Sequence, residues 1–224
     1  MEDIFSKLKV FLYWDKYTWY ALGSLSASLQ QYRVPYKIIK GNVVPAITKA
    51  INTGYRVIYA ESSRSWTVDR LKKRVQTIKE SIASSNLLIV VGGPHATGAP
   101  EEVLDLGVEV VVIGEGEETF PDLIRTFAQK SFTRDMLANI PGIMYLDRNG
   151  NVRSTPSRSK IDLDSFCPYS DHPDFPIHPP IEIMRGCGRG CHFCSPTMRI
   201  RHSFPIDHIM KEVEINREFP YMVI

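Results

Sequence analysis

The stretch Leu87-Leu88-Ile89-Val90-Val91-Gly92-Gly93 decides the fold of this 224-residue chain. Its apolar residues follow one another without alternation, which is typical of a strand buried on both faces of a parallel sheet. Two glycines then end the strand. We therefore predict a sheet that is covered by helices on both faces, with this strand near its centre.

Strands and helices alternate on both sides of this stretch. The apolar pattern predicts strands over 9–14, 35–39, 56–60, 87–91 and 108–113, and helices over 20–32, 45–52, 68–83, 101–106 and 117–129. Parallel neighbours in a sheet need crossover connections, and helices commonly provide them. Residues 1–130 are therefore predicted to form a doubly wound, parallel α/β sheet.

The pattern changes after residue 130. An Asn-Gly turn at 149–150 follows the apolar segment 143–146 and predicts a hairpin. The proline-rich stretch 154–180 predicts an extended linker, so we place a domain boundary in 131–180. A strand over 181–184, a helix over 205–218 and a last strand beginning at 221 are predicted for a second unit, 181–224.

The composition limits the classes of function. There are 27 basic and 25 acidic side chains, a formal net charge of +2, and no basic block that would follow a phosphate backbone. No nucleic-acid partner is indicated. No apolar run approaches the roughly 20 residues that span a bilayer, and the N-terminus has no signal-peptide pattern. We expect a cytoplasmic protein with no membrane partner.

Three of the four cysteines lie in one short stretch, Cys187-Gly188-Arg189-Gly190-Cys191-His192-Phe193-Cys194. This C-x3-C-x2-C spacing allows three thiolates of one loop to bind three irons of a 4Fe-4S cluster, leaving the fourth iron open. Cys187, Cys191 and Cys194 are the predicted ligands. Cys167 lies outside this spacing and is not predicted as a ligand.

Two alternatives to an iron-sulfur cluster remain open for this cysteine loop (187–194). A zinc ion could use the three thiolates together with His192 or His202, although zinc prefers four closed ligands that commonly come from two pairs. Alternatively, the three thiols bind nothing.

Four loops follow predicted strands, at 15–18, 61–65, 92–97 and 114–117. Open parallel sheets bind ligands where their strands end. Glycines there allow a bulky ligand to approach the backbone, and serines can bond its polar groups; tight turns alone are the alternative. The candidate cofactor-binding residues are Asp15, Tyr17, Ser62, Ser63, Ser65, Gly92, Gly93, His95, Gly114, Glu115 and Gly116.

Among these loops, His95 could bind a metal or act as a base, but a structural loop role is favoured. Glu115, Glu117 and Glu118 could be acid–base carboxylates. Acidic residues are stabilised at the start of a helix by its dipole, so we favour a structural role for them as well. No catalytic residue is predicted.

These stretches resemble radical S-adenosylmethionine enzymes that carry an N-terminal cobalamin-binding domain. Residues 91–97, Val-Gly-Gly-Pro-His-Ala-Thr, and 114–117, Gly-Glu-Gly-Glu, are similar to the second half of that domain, and 185–194 matches the cluster motif. The resemblance implies a flavodoxin-like first domain that binds cobalamin. It also implies a partial barrel of parallel strands, whose first loop carries the cluster.

The resemblance further implies a chemistry. Cys187, Cys191 and Cys194 would bind the cluster, Phe193 matches the aromatic residue before the last cysteine, and S-adenosylmethionine would bind the open iron. An electron donor such as flavodoxin or ferredoxin would reduce the cluster, and the resulting radical would act on a small-molecule or other substrate. Methylation is the commonest outcome in the cobalamin-carrying enzymes.

The sequence departs from the family in two respects. Cobalamin domains commonly have a histidine two residues after an aspartate in the first loop, whereas Asp15 is followed by Tyr17, so no axial histidine is expected. Only the first unit of the barrel is recognised, so we expect the chain to be a piece of a longer enzyme that is inactive alone. The alternative function is a non-catalytic cobalamin carrier or docking module; a methylthiolating tRNA-modifying enzyme is ranked below both.

Overall fold

A computed structural model describes residues 4–158, 161, 181–192, 194 and 201–217. The strands of the main sheet are β1 (Leu8–Tyr13), β2 (Lys37–Ile39), β3 (Arg56–Ser62), β4 (Leu87–Gly92), β5 (Val110–Val112), β6 (Ile143–Leu146) and β7 (Val152–Ser154). The helices are α1 (Trp19–Gln31), α2 (Val44–Asn52), α3 (Val68–Ser81), α4 (Pro94–Gly98), α5 (Pro100–Asp105), α6 (Gly116–Ala128) and α7 (Ile206–Asn216).

The main sheet has the strand order β2-β1-β3-β4-β5-β6-β7, and its first five strands are parallel. The order 2-1-3-4-5 is that of flavodoxin-like folds. The chain moves outward from β1 to β2 and then returns past β1 to β3, so the loops after β1 and β3 diverge and leave a crevice between them. The predicted fold class, a doubly wound α/β sheet, is confirmed.

Alternate residues of each strand face opposite sides of the sheet, and each side has its own core. Leu12, Ile58 and Val90 pack with α1 and α6. Tyr59, Ile89 and Val91 pack with α2, α3 and α5 on the other side. The predicted central strand, β4, therefore contributes to both cores, as its unbroken apolar sequence requires.

The predicted hairpin is part of this sheet rather than of the linker. β6 pairs antiparallel with β5, matching Val111 with Met144, and β7 pairs antiparallel with β6. Ile143 and Tyr145 are buried in the same core as α6. The main sheet therefore extends past residue 130 to Ser154.

The second unit differs from the predicted strand over 181–184. Its strand β8 covers only Met184–Arg185 and pairs antiparallel with β9 (His202–Ser203). The helix predicted at 205–218 is α7. The predictions for Cys167, Phe193, most of the linker and the strand beginning at 221 lie outside the described residues.

Among the described residues, no helix combines the length and the apolar character that a membrane crossing requires.

Candidate functional site

Gly93 and the loop after β3 fit closely against each other at the carboxyl edge, the edge of the sheet where the parallel strands end. Gly93 has φ 96° and ψ −178°, a conformation that is essentially restricted to glycine. A Cβ atom at this position would lie 2.5 Å from Ser62 Oγ and 2.8 Å from Ser63 O. The Ser63 N–H also donates to Gly92 O at 2.8 Å. Ser62, Ser63, Gly92 and Gly93 are thus brought together, and packing accounts for Gly93.

His95 extends this group toward Ser65. The backbone N–H of His95 donates to Ser63 O at 3.2 Å, and its Nδ1 lies 3.3 Å from Ser65 Oγ. Its Nε2 is buried and has no hydrogen-bond partner among the described residues; the nearest carboxylate, Glu102 Oε2, is 3.6 Å away. Buried polar atoms are seldom left unpaired, so Nε2 is available to a ligand or a water.

The loop after β5 is joined to the loop after β4 by Thr97, whose Oγ1 accepts a hydrogen bond of 3.0 Å from Gly114 N. Gly114 has φ 83°, and a Cβ atom there would meet nothing within 4 Å. Gly116 instead packs against α1, since a Cβ atom there would lie 3.3 Å from Leu25 Cδ2. Of the two predicted glycines, Gly114 is therefore the one that borders open space.

The loop after β1 contains Asp15 and Tyr17, which contact each other. Asp15 Oδ1 accepts a hydrogen bond of 2.9 Å from Tyr17 N. The Tyr17 ring is exposed and lies 4.9 Å from Lys16 Nζ and 5.0 Å from the Arg70 guanidinium. Hydrogen bonding with Lys16 and Arg70, together with their charges, lowers the pKa of Tyr17. Neighbouring Thr18, which was not among the predicted site residues, is buried, and its Oγ1 has no hydrogen-bond partner in the part of the chain that the structure describes.

Arg185 connects the cysteine segment, residues 181–194, to the loop after β5, a contact that sequence reasoning missed. Its guanidinium lies 3.2 Å from Glu115 Oε1 and 2.6 Å from Glu117 Oε1. It also forms a bidentate contact with Glu182, in which Nε donates to Oε1 at 2.9 Å and Nη2 donates to Oε2 at 3.0 Å. Glu115 and Glu117 thus have a structural partner, in keeping with the role favoured for helix-start acids. No local pattern reveals a contact between residues 70 positions apart.

Burial and mutual charge set the protonation of this cluster. Burial disfavours the charged form of Arg185, but the carboxylates of Glu117 and Glu182 outweigh it, and the pKa of Arg185 is raised. Burial, followed by the neighbouring charge of Glu117, raises the pKa of Glu115. The site therefore holds a permanently charged guanidinium among carboxyl groups.

The described part of the cysteine loop presents three free thiols. Cys187 is exposed, and Cys191 and Cys194 are partly buried. Cys194 N donates to Cys191 O at 3.0 Å, which closes a turn between the last two cysteines. Nowhere in the described residues are three His, Cys, Asp or Glu side chains placed to hold a metal ion. The donor set, three thiols on one loop, is nevertheless the one that iron-sulfur clusters use.

Gly186, Gly188 and Gly190 alternate with the other residues at the start of this loop. They have φ values of 69°, 75° and 66°. Positive φ favours glycine, because other residues meet a steric penalty there. The loop can therefore curve tightly around whatever its thiols bind.

Part of the sheet domain is similar to a known family of domains. Residues 16–124 match the B12 binding domain. The match covers every cofactor-binding candidate except Asp15 and ends before the cysteine loop. It agrees with the flavodoxin-like sheet and supports a cobalamin-related function for this part of the chain.

Three curated relatives are similar over part of their length. The chain is 26% identical over 165 residues to the uncharacterized methyltransferase PH0819 of Pyrococcus horikoshii, covering 67% of this chain and 33% of that protein. It is 29% identical to the uncharacterized methyltransferase sll1242 of Synechocystis, covering 54% and 19%. It is 30% identical to the anaerobic magnesium-protoporphyrin IX monomethyl ester cyclase of Cereibacter sphaeroides, covering 49% and 20%. The chain thus spans a third or less of each relative's length.

A solved structure is also similar in sequence. It is the N-terminal domain of the hypothetical protein TM0182 from Thermotoga maritima, with 27% identity, a TM-score of 0.35, and coverage of 47% of this chain and 82% of that one.

Proposed function

We propose that the chain is the cofactor-binding part of a radical S-adenosylmethionine enzyme that uses cobalamin. In this proposal, cobalamin binds at the carboxyl edge of the B12 binding domain, and the cysteine loop binds a 4Fe-4S cluster. The enzyme would methylate a substrate or transform it by related radical chemistry. Relatives named as methyltransferases support methyl transfer, and the one named as a cyclase supports the wider range.

One observation carries the proposal. A domain that matches the B12 binding family and a C-x3-C-x2-C loop are joined, through Arg185 and Glu115, at the edge where such sheets bind ligands. Two cofactors that act on one substrate must lie close together, and this contact brings their candidate loops to one place.

The residues at the carboxyl edge suit a large, amide-rich ring. Gly114 leaves open space beside the loop after β5, and the buried Nε2 of His95 has no hydrogen-bond partner among the described residues. The hydroxyls of Ser62 and Ser65 can bond amide groups. Tyr17 stands where related domains have a histidine, so cobalamin would bind without an axial histidine from this loop.

The cysteine loop would hold the second cofactor. Thiolates of Cys187, Cys191 and Cys194 would hold the cluster and leave one iron open for S-adenosylmethionine. With an electron donor of the flavodoxin or ferredoxin type, the cluster would supply one-electron reduction of S-adenosylmethionine, and cobalamin would supply methyl transfer. The chain's own part is to hold both cofactors in place.

Anaerobic reconstitution with iron and sulfide tests the cluster. We expect about four irons per chain and a broad visible absorption that dithionite bleaches. Cys191→Ala should abolish this absorption, and Cys167→Ala, the matched control outside the motif, should retain it. Equal loss in both variants, or no iron uptake at all, would contradict the proposed cluster. Hydroxocobalamin titration tests the other cofactor separately.

A non-catalytic cobalamin carrier is the second candidate. The B12 binding match covers 16–124 and stops before the cysteines, which favours it. Hydroxocobalamin binding without any iron incorporation would support the carrier, whereas incorporation of both cofactors would support the enzyme.

A further inference from the structure

We propose that Arg185 is a positioning residue that holds the cysteine loop against the loop after β5 and couples the two cofactor sites. The coupling rests on the proposed function. The positioning itself does not, because it can be tested in the protein without cofactors.

The location of Arg185 in the sequence makes it suited to this task. It lies two residues before Cys187, and two Cα steps span at most about 7 Å. A fixed Arg185 therefore confines the first thiol to a small region at the carboxyl edge. The intervening Gly186, with φ 69°, turns the chain there.

The contacts of Arg185 come from separate parts of the fold. Glu115 ends the loop after β5, and Glu117 lies in the first turn of α6. Ser24 Oγ, on α1, lies 3.3 Å from Nη2 of the same guanidinium. Because α1 and α6 both pack on the sheet, Arg185 is held by the rigid part of the domain.

The contact is also largely shielded from solvent. The side chains of Arg185 and Glu117 are 19% and 8% exposed. Ion pairs that are shielded in this way are screened little by salt, and loss of one partner leaves the other uncompensated. Removal of the guanidinium should therefore release the cysteine segment and loosen the loop after β5 together.

Arg158 provides a matched control. Its side chain is 18% exposed and binds Glu118 and Asp122 of the same helix, α6. Its hydrogen bonds and ion pairs within the described residues are all with α6, including one of 2.9 Å to Thr119 Oγ1. Arg158→Gln thus removes an equivalent ion pair from α6 while leaving Arg185 in place.

Amide hydrogen exchange of the cofactor-free chain tests the positioning. We expect Arg185→Gln to speed exchange at least tenfold in both 114–118 and 184–192, with β4 unchanged as evidence of folding. Arg158→Gln should leave the exchange rates of 184–192 unchanged. Arg185→Lys keeps the charge but not the planar guanidinium, so its exchange rates should lie between those of wild type and Arg185→Gln. Exchange within twofold of wild type in Arg185→Gln, or an equal effect of Arg158→Gln, would overturn the inference.

Hydroxocobalamin titration with and without the reconstituted cluster tests the coupling. Coupled sites alter each other's affinity by the same factor, so we expect the cluster to tighten hydroxocobalamin binding at least fivefold in wild type and in Arg158→Gln, but not in Arg185→Gln. If both cofactors bind wild type independently, the coupling is wrong and the proposed function stands. If neither binds, the proposed function and the coupling both fail, and the exchange experiment still decides the positioning.

Discussion

Gly93 and Gly114 both have positive φ at the carboxyl edge, yet their surroundings differ. Gly93 lies against the loop after β3, where a Cβ atom would come within 2.5 Å of Ser62 Oγ. Gly114 borders open space. The same residue type therefore has a packing role at one position and leaves room for a ligand at the other.

This difference predicts unequal costs for two alanine substitutions. Gly114→Ala should lower the free energy of unfolding by about 1–2 kcal/mol, through backbone strain alone. Gly93→Ala adds a clash with Ser62 and the Ser63 backbone, so we expect a loss of about 3 kcal/mol or more. Urea unfolding of both variants measures the difference, and equal losses would show that the clash is relieved.

At the residue scale, the sequence predicted which loops meet but not how their side chains are used. Gly92, Ser63 and His95 could be selected because each lies at the end of a strand, or shortly after one, at the same edge of the sheet. The contact between Arg185 and Glu115 could not, because it depends on the path of the chain between them. Thr97 lies in one of the predicted loops, but its hydrogen bond with Gly114 depends on the spacing of β4 and β5.

At the scale of elements, α3 is held to β3 by a buried ion pair. Glu61 accepts bonds from Arg74, with Nε at 2.9 Å and a second, shorter contact, and from the Tyr59 hydroxyl at 2.6 Å. The Glu61 side chain is only 3% exposed. Burial, followed by the charge of Glu61, raises the pKa of Tyr59 well above its usual value.

Removal of the Arg74 guanidinium should therefore lower the free energy of unfolding. Arg74→Met leaves a buried carboxylate without its cation, and we expect a loss of about 3–5 kcal/mol. Adding Glu61→Gln removes the charge while keeping an acceptor for Tyr59, so the double variant should recover about 1–2 kcal/mol. Chemical denaturation measures both variants. A double variant no more stable than Arg74→Met would contradict this explanation.

α7 contains a carboxyl group whose protonation should affect stability. Glu212 is buried, and its Oε2 accepts a bond of 2.8 Å from Glu182 N. Burial raises its pKa from 4.5 to about 7. The folded chain thus keeps a proton that the unfolded chain releases, and this contribution to stability is full below pH 4.5 and lost as pH rises through 7.

Glu212→Gln tests this contribution, because glutamine does not titrate. Relative to wild type, the variant should gain stability between pH 5 and 8, by at most about 3 kcal/mol. Glu182, Arg185 and His208 face this carboxyl group, and Glu212→Gln leaves all three in place. Thermal melts at several pH values measure the difference, and a pH-independent difference would contradict the raised pKa.

The sequence predicted the long elements because their apolar periods are regular. The apolar run of β4 and the helical stripe of Leu71, Val75 and Ile78 on α3 each indicate one structure only. α4 was missed, since five residues are too few to show a period. The pairing of β6 with β5 was missed because a hairpin sequence does not reveal its outer neighbour.

At the scale of the whole molecule, the sheet domain should gain stability from cobalamin. A ligand that binds only the folded state adds about 2.7 kcal/mol at about 100 times its Kd. For a domain of this size, that corresponds to a rise in Tm of roughly 5–10 °C. The cofactor would cover the carboxyl edge, where several loops from distant parts of the chain meet.

Two substitutions at Gly114 determine whether the stabilisation arises at this edge. Both Gly114→Ala and Gly114→Leu place a side chain on a residue whose φ is 83°, so we expect similar backbone strain in the two variants. Only leucine extends into the open space beside the loop, so hydroxocobalamin should raise the Tm of the alanine variant but not of the leucine variant. Differential scanning fluorimetry with and without hydroxocobalamin measures the shift. An equal shift in both variants would place the cofactor elsewhere on the domain.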